Sequence, residues 1–266
     1  MFVTRLLSGI VLLFIIFATI LTGGNVLLLF LGAISLIGQY ELYRTAKLEK
    51  SLPAVISYLA AVGYEILLGN QMQEHILIFT MIYLVILLGS YVALYPKLVT
   101  EQIGILFLGF FYVTVLMSYI YQVRIMPSGI YTVWLIFIAA WGSDTCAYCV
   151  GVLFGKHKLP SKLSPKKSIE GCVGGVIGAG LIGFLYAMVF KNKLAGIENP
   201  QLVYALMGCV GSVIAQFGDL CASAVKRNHD IKDYGKLIPG HGGILDRFDS
   251  ILFTAPVVYL LMICFF

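Results

Sequence analysis

The sequence predicts an all-α polytopic membrane protein with about nine transmembrane helices and a cytoplasmic N-terminus. Composition is the first reason. Of its 266 residues 60% are hydrophobic and 12% charged, and the mean hydropathy is +0.94, whereas soluble domains carry about 25% charged residues. The second reason is a series of long uncharged runs. The third is a one-sided distribution of lysine and arginine.

A helix needs about 20 mostly apolar residues to cross the hydrocarbon. Runs of that kind, separated by charged or Pro/Gly breaks, fall approximately over 6–22, 25–40, 52–68, 75–95, 103–120, 130–154, 171–190, 202–225 and 250–265. Only Gly23 and Gly24 divide the first two. A removed signal peptide is the rival account of that start, but no small-residue cleavage pattern follows the first run, and a second span begins at once.

Nine spans put alternate loops on opposite sides. One side then collects Arg5, Arg44, Lys47, Lys50, Lys97, Lys156, Lys158, Lys162, Lys166, Lys167, Lys226, Arg227, Lys232, Lys236 and Arg247; the other has only Arg124, Lys191 and Lys193. Under the positive-inside rule the first side is cytoplasmic, the N-terminus in and the C-terminus out. The net charge of +5 therefore follows from topology, and the basic face would attract anionic head groups and nucleotides. Nucleic acid is not implied. All six cysteines, Cys146, Cys149, Cys172, Cys209, Cys221 and Cys264, fall inside expected spans, where no disulfide framework forms. A short chain without a soluble extension points to a bacterial inner membrane.

Charge also divides the chain lengthwise. Residues 1–128 form about five nearly apolar spans with short loops, whereas 129–266 hold about four spans, the basic loops 156–170 and 226–249, and the intramembrane carboxylates Asp144 and Asp219. Chemistry is expected in the second part. Its first basic loop opens into a helix dense in small residues (Gly171, Gly174, Gly175, Gly178, Gly180, Gly183), which lets neighbouring helices approach closely in lipid. Gly178 to Gly183 satisfies G-x-G-x-x-G but lies within a span and follows no strand, so a dinucleotide site is excluded on context. Gly151 to Lys156 is too short for a P-loop, and His157 stands where Ser or Thr is required. Small-residue faces also allow a homodimer without fixing one.

A carboxylate in the hydrocarbon costs at least about 2.5 kcal/mol on insertion scales, so each one is a functional candidate. Three fall inside the expected spans: Glu65, Asp144 and Asp219. Glu65 has no polar cluster near it in sequence and reads as a residue in a structural hydrogen bond or a helix interface. Asp219 shares a helical face with Ser223 and with Lys226 or Arg227, and Asp144 shares one with Tyr148, Gly151 and Gly155, so both faces lead toward the basic side. Asp246 and Asp249, three residues apart, fall together at the start of the last helix with Arg247 between them. Hard oxygen ligands suit Mg²⁺, which takes one or two carboxylates plus substrate phosphates, making Asp219, Asp246 and Asp249 the metal candidates. The competing account is that they neutralise nearby Lys and Arg as membrane ion pairs. Lys166 and Lys167, just ahead of a helix, place positive charge and free backbone N–H groups at one point, as a triphosphate site would. Composition alone reads the same loop as topology-setting.

The closing stretch carries Ser223, Lys226-Arg227, Lys232-Asp233, Pro239-Gly240-His241-Gly242-Gly243 and Asp246-Arg247-Phe248-Asp249. In order and spacing it resembles the signature of the phosphatidate cytidylyltransferases, also called CDP-diacylglycerol synthases. The resemblance covers residues 144 to 249 and implies transfer of a cytidylyl group from CTP to phosphatidate at the cytoplasmic face, giving CDP-diacylglycerol and pyrophosphate. It implies Mg²⁺ on Asp219, Asp246 and Asp249, with Asp144 holding a second cation or orienting a lysine. Lys167, Lys226, Arg227 and Arg247 would act on the phosphates, and Lys166, Ser223, Lys232, His241, Gly242 and Gly243 would bind substrate. The alternatives are a nucleotide-dependent polyprenol or lipid kinase and an ion-coupled transporter. A lipase reading of the His-Gly-Gly loop lacks any G-x-S-x-G nucleophile, and the Asp-Gly-x-x-Ala-Arg opening of the CDP-alcohol phosphotransferases is absent.

Overall fold

A computed structural model describes residues 2–160, 163–194 and 196–265; Lys162, counted above among the basic residues, lies outside the described residues. Among the described residues nine helical stretches are long and apolar enough to cross a membrane. The first four are α1 (Phe2–Thr22), α2 (Gly24–Thr45), α3 (Leu52–Gly69) and α4 (Ile76–Ala93). The fifth joins α5 (Thr100–Gly109) to α6 (Leu116–Ile125) through a π-helical turn, Phe110–Val115, and the sixth joins α7 (Gly129–Phe137) to α8 (Ser143–Phe154) through another, Ile138–Gly142. Then come α9 (Ile169–Phe190), α10 (Pro200–Asn228) and α11 (Leu245–Phe265). Among the described residues there is no strand, only two isolated antiparallel bridges in loops, Lys158 with Ser168 and Ile238 with Gly242.

The glycine pair between α1 and α2 ends one helix and begins the next: Gly23 and Gly24 have φ of 65° and 50°, a region that a Cβ disfavours. The helices run further at several ends than hydropathy predicts. A hydropathy scan stops at the first charge, but a membrane helix projects beyond the hydrocarbon into the head-group region, where charge is solvated. The added turns matter chemically. They bring Glu41 and Arg44 into α2, Lys226 and Arg227 into α10, and Asp246, Arg247 and Asp249 into α11.

By contact the chain forms two compact units, Met1–Tyr121 with Ile231–Arg247, and Gln122–Asp230 with Phe248–Phe266. Composition divides the chain near residue 128; contact divides it at Tyr121 and assigns the 231–247 segment to the first unit. In the first unit buried polar side chains pair helix to helix. Gln39 Nε2 donates to Thr114 Oγ1 at 2.8 Å, Tyr43 OH to the Leu106 carbonyl at 2.9 Å, and Ser57 Oγ pairs with Tyr83 OH at 2.9 Å. Such bonds hold helices where lipid supplies no hydrophobic drive between them. Leu13, Phe14, Leu77 and Val85 are exposed, as a lipid-facing surface requires.

In the second unit α9 packs against both α8 and α10. Its small residues are what permit this. A Cβ on Gly178 would lie 2.5 Å from Cys146 of α8, and one on Gly183 would lie 2.5 Å from the Tyr204 carbonyl of α10. Polar bonds then fix the seams: Ser143 Oγ meets Ser212 Oγ at 2.6 Å, Thr132 Oγ1 meets Tyr204 OH at 2.7 Å, and Gln216 Nε2 donates to the Cys172 carbonyl at 3.1 Å. All six cysteines are free.

Candidate active site

The second unit contains a cleft of about 590 Å³ whose lining includes Asp144, Tyr148, Gly151, Gly155, Lys158, Lys166, Lys167, Ser168, Gly171 and Gln216. The helical face read from the sequence, Asp144 with Tyr148, Gly151 and Gly155, is one wall. The π turn ending at Gly142 leads directly into that wall, and π turns recur at functional positions. Opposite stands the N-terminus of α9, with the lysine-bearing loop before it. That loop folds back on itself: Leu159 N donates to the Lys167 carbonyl at 2.8 Å and Ile169 N to the His157 carbonyl at 2.9 Å. Glu170 pins it further, its Oε1 lying 2.6 Å from His157 Nδ1.

Ser168 caps α9 by accepting from Gly171 N at 3.2 Å. The expectation of free amides at this helix start is thereby corrected, because the Ile169 and Gly171 N–H groups are taken up inside the loop. What the helix start offers an anion is its dipole and the neighbouring ammonium groups. Lys167 is held in place by Asp219 of α10, Nζ to Oδ2 at 2.5 Å, with both side chains about 70% buried (27% and 31% exposed). Asp249 of α11, 8% exposed, interacts electrostatically with Asp219, Lys226 and Asp144. A Cβ on Gly218 would lie 3.0 Å from the Asp249 carbonyl, so the glycine beside Asp219 is what lets α11 come this close to α10. Ser223 is half-buried one turn beyond Asp219, and Arg227 is exposed in the last turn of α10; neither lines the cleft.

The remaining signature residues belong to the first unit. The 231–244 loop closes between Ile238 N and the Gly242 carbonyl at 2.9 Å, with Gly240 and Gly242 at φ of 76° and 88°. Asp246 Oδ2 accepts from Tyr234 N at 2.8 Å and Gly243 N at 3.0 Å, tying both ends of the loop to α11. Glu41 accepts from Ile244 N at 3.1 Å and Leu245 N at 3.0 Å, and Arg44 donates to the Tyr234 carbonyl at 2.7 Å. Glu41 lies one residue past the apolar run 25–40 and so outside the expected span; its only signal in the sequence is a lone acid one helical turn before Arg44. His241 Nδ1 lies 3.0 Å from Ser8 Oγ. Burial, then Arg247 and Arg5, hold the His241 imidazole below its usual range. The Arg247 Nε is buried and, among the described residues, has no hydrogen-bond partner, a donor available to an anion. Lys232 is exposed in the loop.

Asp246 and Asp249, expected as a pair, thus belong to different units with different partners. Among the described residues no group of three His, Cys, Asp or Glu side chains is arranged to hold a metal ion. The donor set still fits Mg²⁺, which takes one or two protein carboxylates and completes its shell with water and substrate phosphate.

The model of the cytidylyltransferase family matches residues 3–265. The chain belongs to the cytidylyltransferase family. It is 32% identical to the phosphatidate cytidylyltransferase of Bacillus subtilis (strain 168) over 271 residues, 98% of this chain and 97% of that one. It is 34% identical to the enzyme of that name from Staphylococcus haemolyticus (strain JCSC1435) over 264 residues, 97% of this chain and 98% of the other.

Two outcomes follow from this geometry. Glu41→Ala leaves two buried N–H groups at the start of α11 without an acceptor, at about 1–3 kcal/mol for each group left unpaired. Its midpoint of thermal unfolding in detergent falls, and Glu41→Gln recovers part of the loss; an unchanged midpoint contradicts the anchoring role. In a histidine NMR titration the His241 imidazole has its midpoint below that of an unperturbed histidine. A midpoint at or above the unperturbed one contradicts the burial of the ring and the facing charges of Arg247 and Arg5.

Proposed function

We propose that the protein is a membrane nucleotidyltransferase that moves the cytidylyl group of CTP onto the phosphate of phosphatidate, giving CDP-diacylglycerol and pyrophosphate. The observation that carries this reading is the cleft between α8 and α9, where Lys158, Lys166 and Lys167 stand beside Asp144 in a unit otherwise built for lipid. Family membership and the names of the relatives support it. The reaction needs little proton chemistry. An ionised oxygen of the lipid phosphate forms the new bond to the α-phosphorus while the bond from that phosphorus to the bridging oxygen breaks, and the electron pair leaves with pyrophosphate. The difficulty is bringing two anions together, and fixed positive charge in a site of low dielectric meets it.

In this reading Lys158, Lys166 and Lys167 hold the triphosphate, with Asp219 keeping the Lys167 ammonium oriented before substrate arrives. Lys226, Arg227 and Arg247 hold the phosphatidate phosphate or the departing pyrophosphate. Asp219 and Asp249 would bind Mg²⁺, which when present neutralises phosphate charge; Asp144 would orient a lysine or meet a second cation. Asp246, with its Oδ2 engaged by two amides, serves as an anchor for the loop that presents His241, Gly242 and Gly243 to substrate. The basic helix ends would face the cytoplasm across a bacterial inner membrane, with the N-terminus inside. A homodimer accords with the small-residue helix faces.

The test is conversion of phosphatidate by the purified protein in detergent, with CTP or ATP, with and without Mg²⁺. Magnesium-dependent CDP-diacylglycerol from CTP is expected, falling by about 10²-fold or more in Asp219→Asn and Asp249→Asn. A phosphorylated product formed only from ATP refutes the cytidylyl reading, and full activity in both variants moves the metal elsewhere.

A further inference from the structure

Glu65 is used by nothing described so far. It lies in α3, is 8% exposed, and neither carboxyl oxygen has a hydrogen-bond partner among the described residues. A buried polar group without a partner is costly, more so in hydrocarbon, where water cannot substitute. The carboxyl group lines a second cleft, of about 470 Å³, between the first half of α2 and the last two turns of α3. Leu28, Leu29, Leu36 and Ile66 make its walls apolar, and Gly32 leaves room in front of the carboxyl, since a Cβ there would lie 3.6 Å from Glu65 Cγ. Two other polar groups of the lining are already engaged, Ser35 Oγ donating to the Gly32 carbonyl at 2.9 Å and Asn70 Nδ2 to the Ile66 carbonyl at 2.8 Å, while the third, Asn25, is exposed.

Three features select an occupant. The volume falls within the range of about 300–1,000 Å³ of ligand sites, with room for one chain and a small polar group. Among the described residues no lysine, arginine or histidine lines the cleft, so none there balances a phosphate, and the carboxyl oxygens call for a donor. Glu65 is four residues from the end of α3, about 6 Å along the axis, at the helix ends away from Arg44, Lys47 and Lys50. That places the carboxyl inside the spanning part of the helix, where an uncharged hydroxyl is accommodated at far lower cost than a charged head group. We infer that the α2–α3 cleft is a binding site for a neutral acylglycerol, its acyl chain along the apolar walls and its free glycerol hydroxyl donating to the Glu65 carboxyl group. The site is separate from the charged cleft of α8 and α9 in the lipid it selects, uncharged rather than anionic.

The experiment titrates the purified full chain in detergent with 1-monooleoylglycerol and, separately, with methyl oleate, which has the chain but no hydroxyl, and counts bound molecules by native mass spectrometry. Wild type binds one monooleoylglycerol and prefers it to methyl oleate by about tenfold, the worth of one buried hydrogen bond. Glu65→Leu abolishes the preference and Glu65→Gln, which still accepts, retains it. Gly32→Leu, which fills the cleft and leaves the carboxyl in place, removes binding of both probes. Equal binding of the two probes by wild type, or a preference that survives Glu65→Leu, overturns the inference. Competition by dioleoylphosphatidate as effective as that by monooleoylglycerol overturns it too.

Discussion

Hydrocarbon offers no hydrogen bonds, and the whole architecture depends on that constraint. Backbone polar groups must be satisfied within helices, so the spanning parts contain only helices. Charge must lie at helix ends or be paired, and here nearly all of it does: Lys167 with Asp219, His157 with Glu170, and Glu41 with the amides that open α11. An enzyme acting on two anionic substrates needs many cations, and only helix ends and loops can carry them. Chemistry and solvation therefore favour the same places.

Packing is the second consequence. Where lipid is as apolar as leucine, helices gain from each other only by close approach and polar bonds. Glycine in α9 serves the first and the serine, threonine and tyrosine pairs serve the second. The same glycines bring α8 and α9 close enough for Gly151 and Gly171 to line the cleft between them, so the packing motif and the site share residues.

Much of this was legible in the sequence because hydropathy and charge are strong signals in a membrane chain. All nine spans and the shared face of Asp144 and Tyr148 follow patterns of period 3.6 or of hydropathy. What was hidden depended on long-range pairing. Nothing local announces that Glu41 accepts from residues some 200 positions later, or that Ser168 would consume an amide expected to be free. The spacing of Asp246 and Asp249 suggests one metal site but gives no sign that Asp246 Oδ2 accepts from the Tyr234 and Gly243 amides. Glu65 was visible as a buried acid, but that its oxygens have no hydrogen-bond partner among the described residues is a property of the packed helices alone.

The central claim is that the lysines before α9 hold the triphosphate. Calorimetric titration of the purified protein with CTP and Mg²⁺, in the absence of lipid substrate, tests it most directly. A Lys166→Ala, Lys167→Ala double variant that unfolds at the wild-type temperature should bind CTP about tenfold to a hundredfold more weakly, the cost of losing charge-assisted bonds. Wild-type affinity in that variant would place the nucleotide elsewhere and contradict the account.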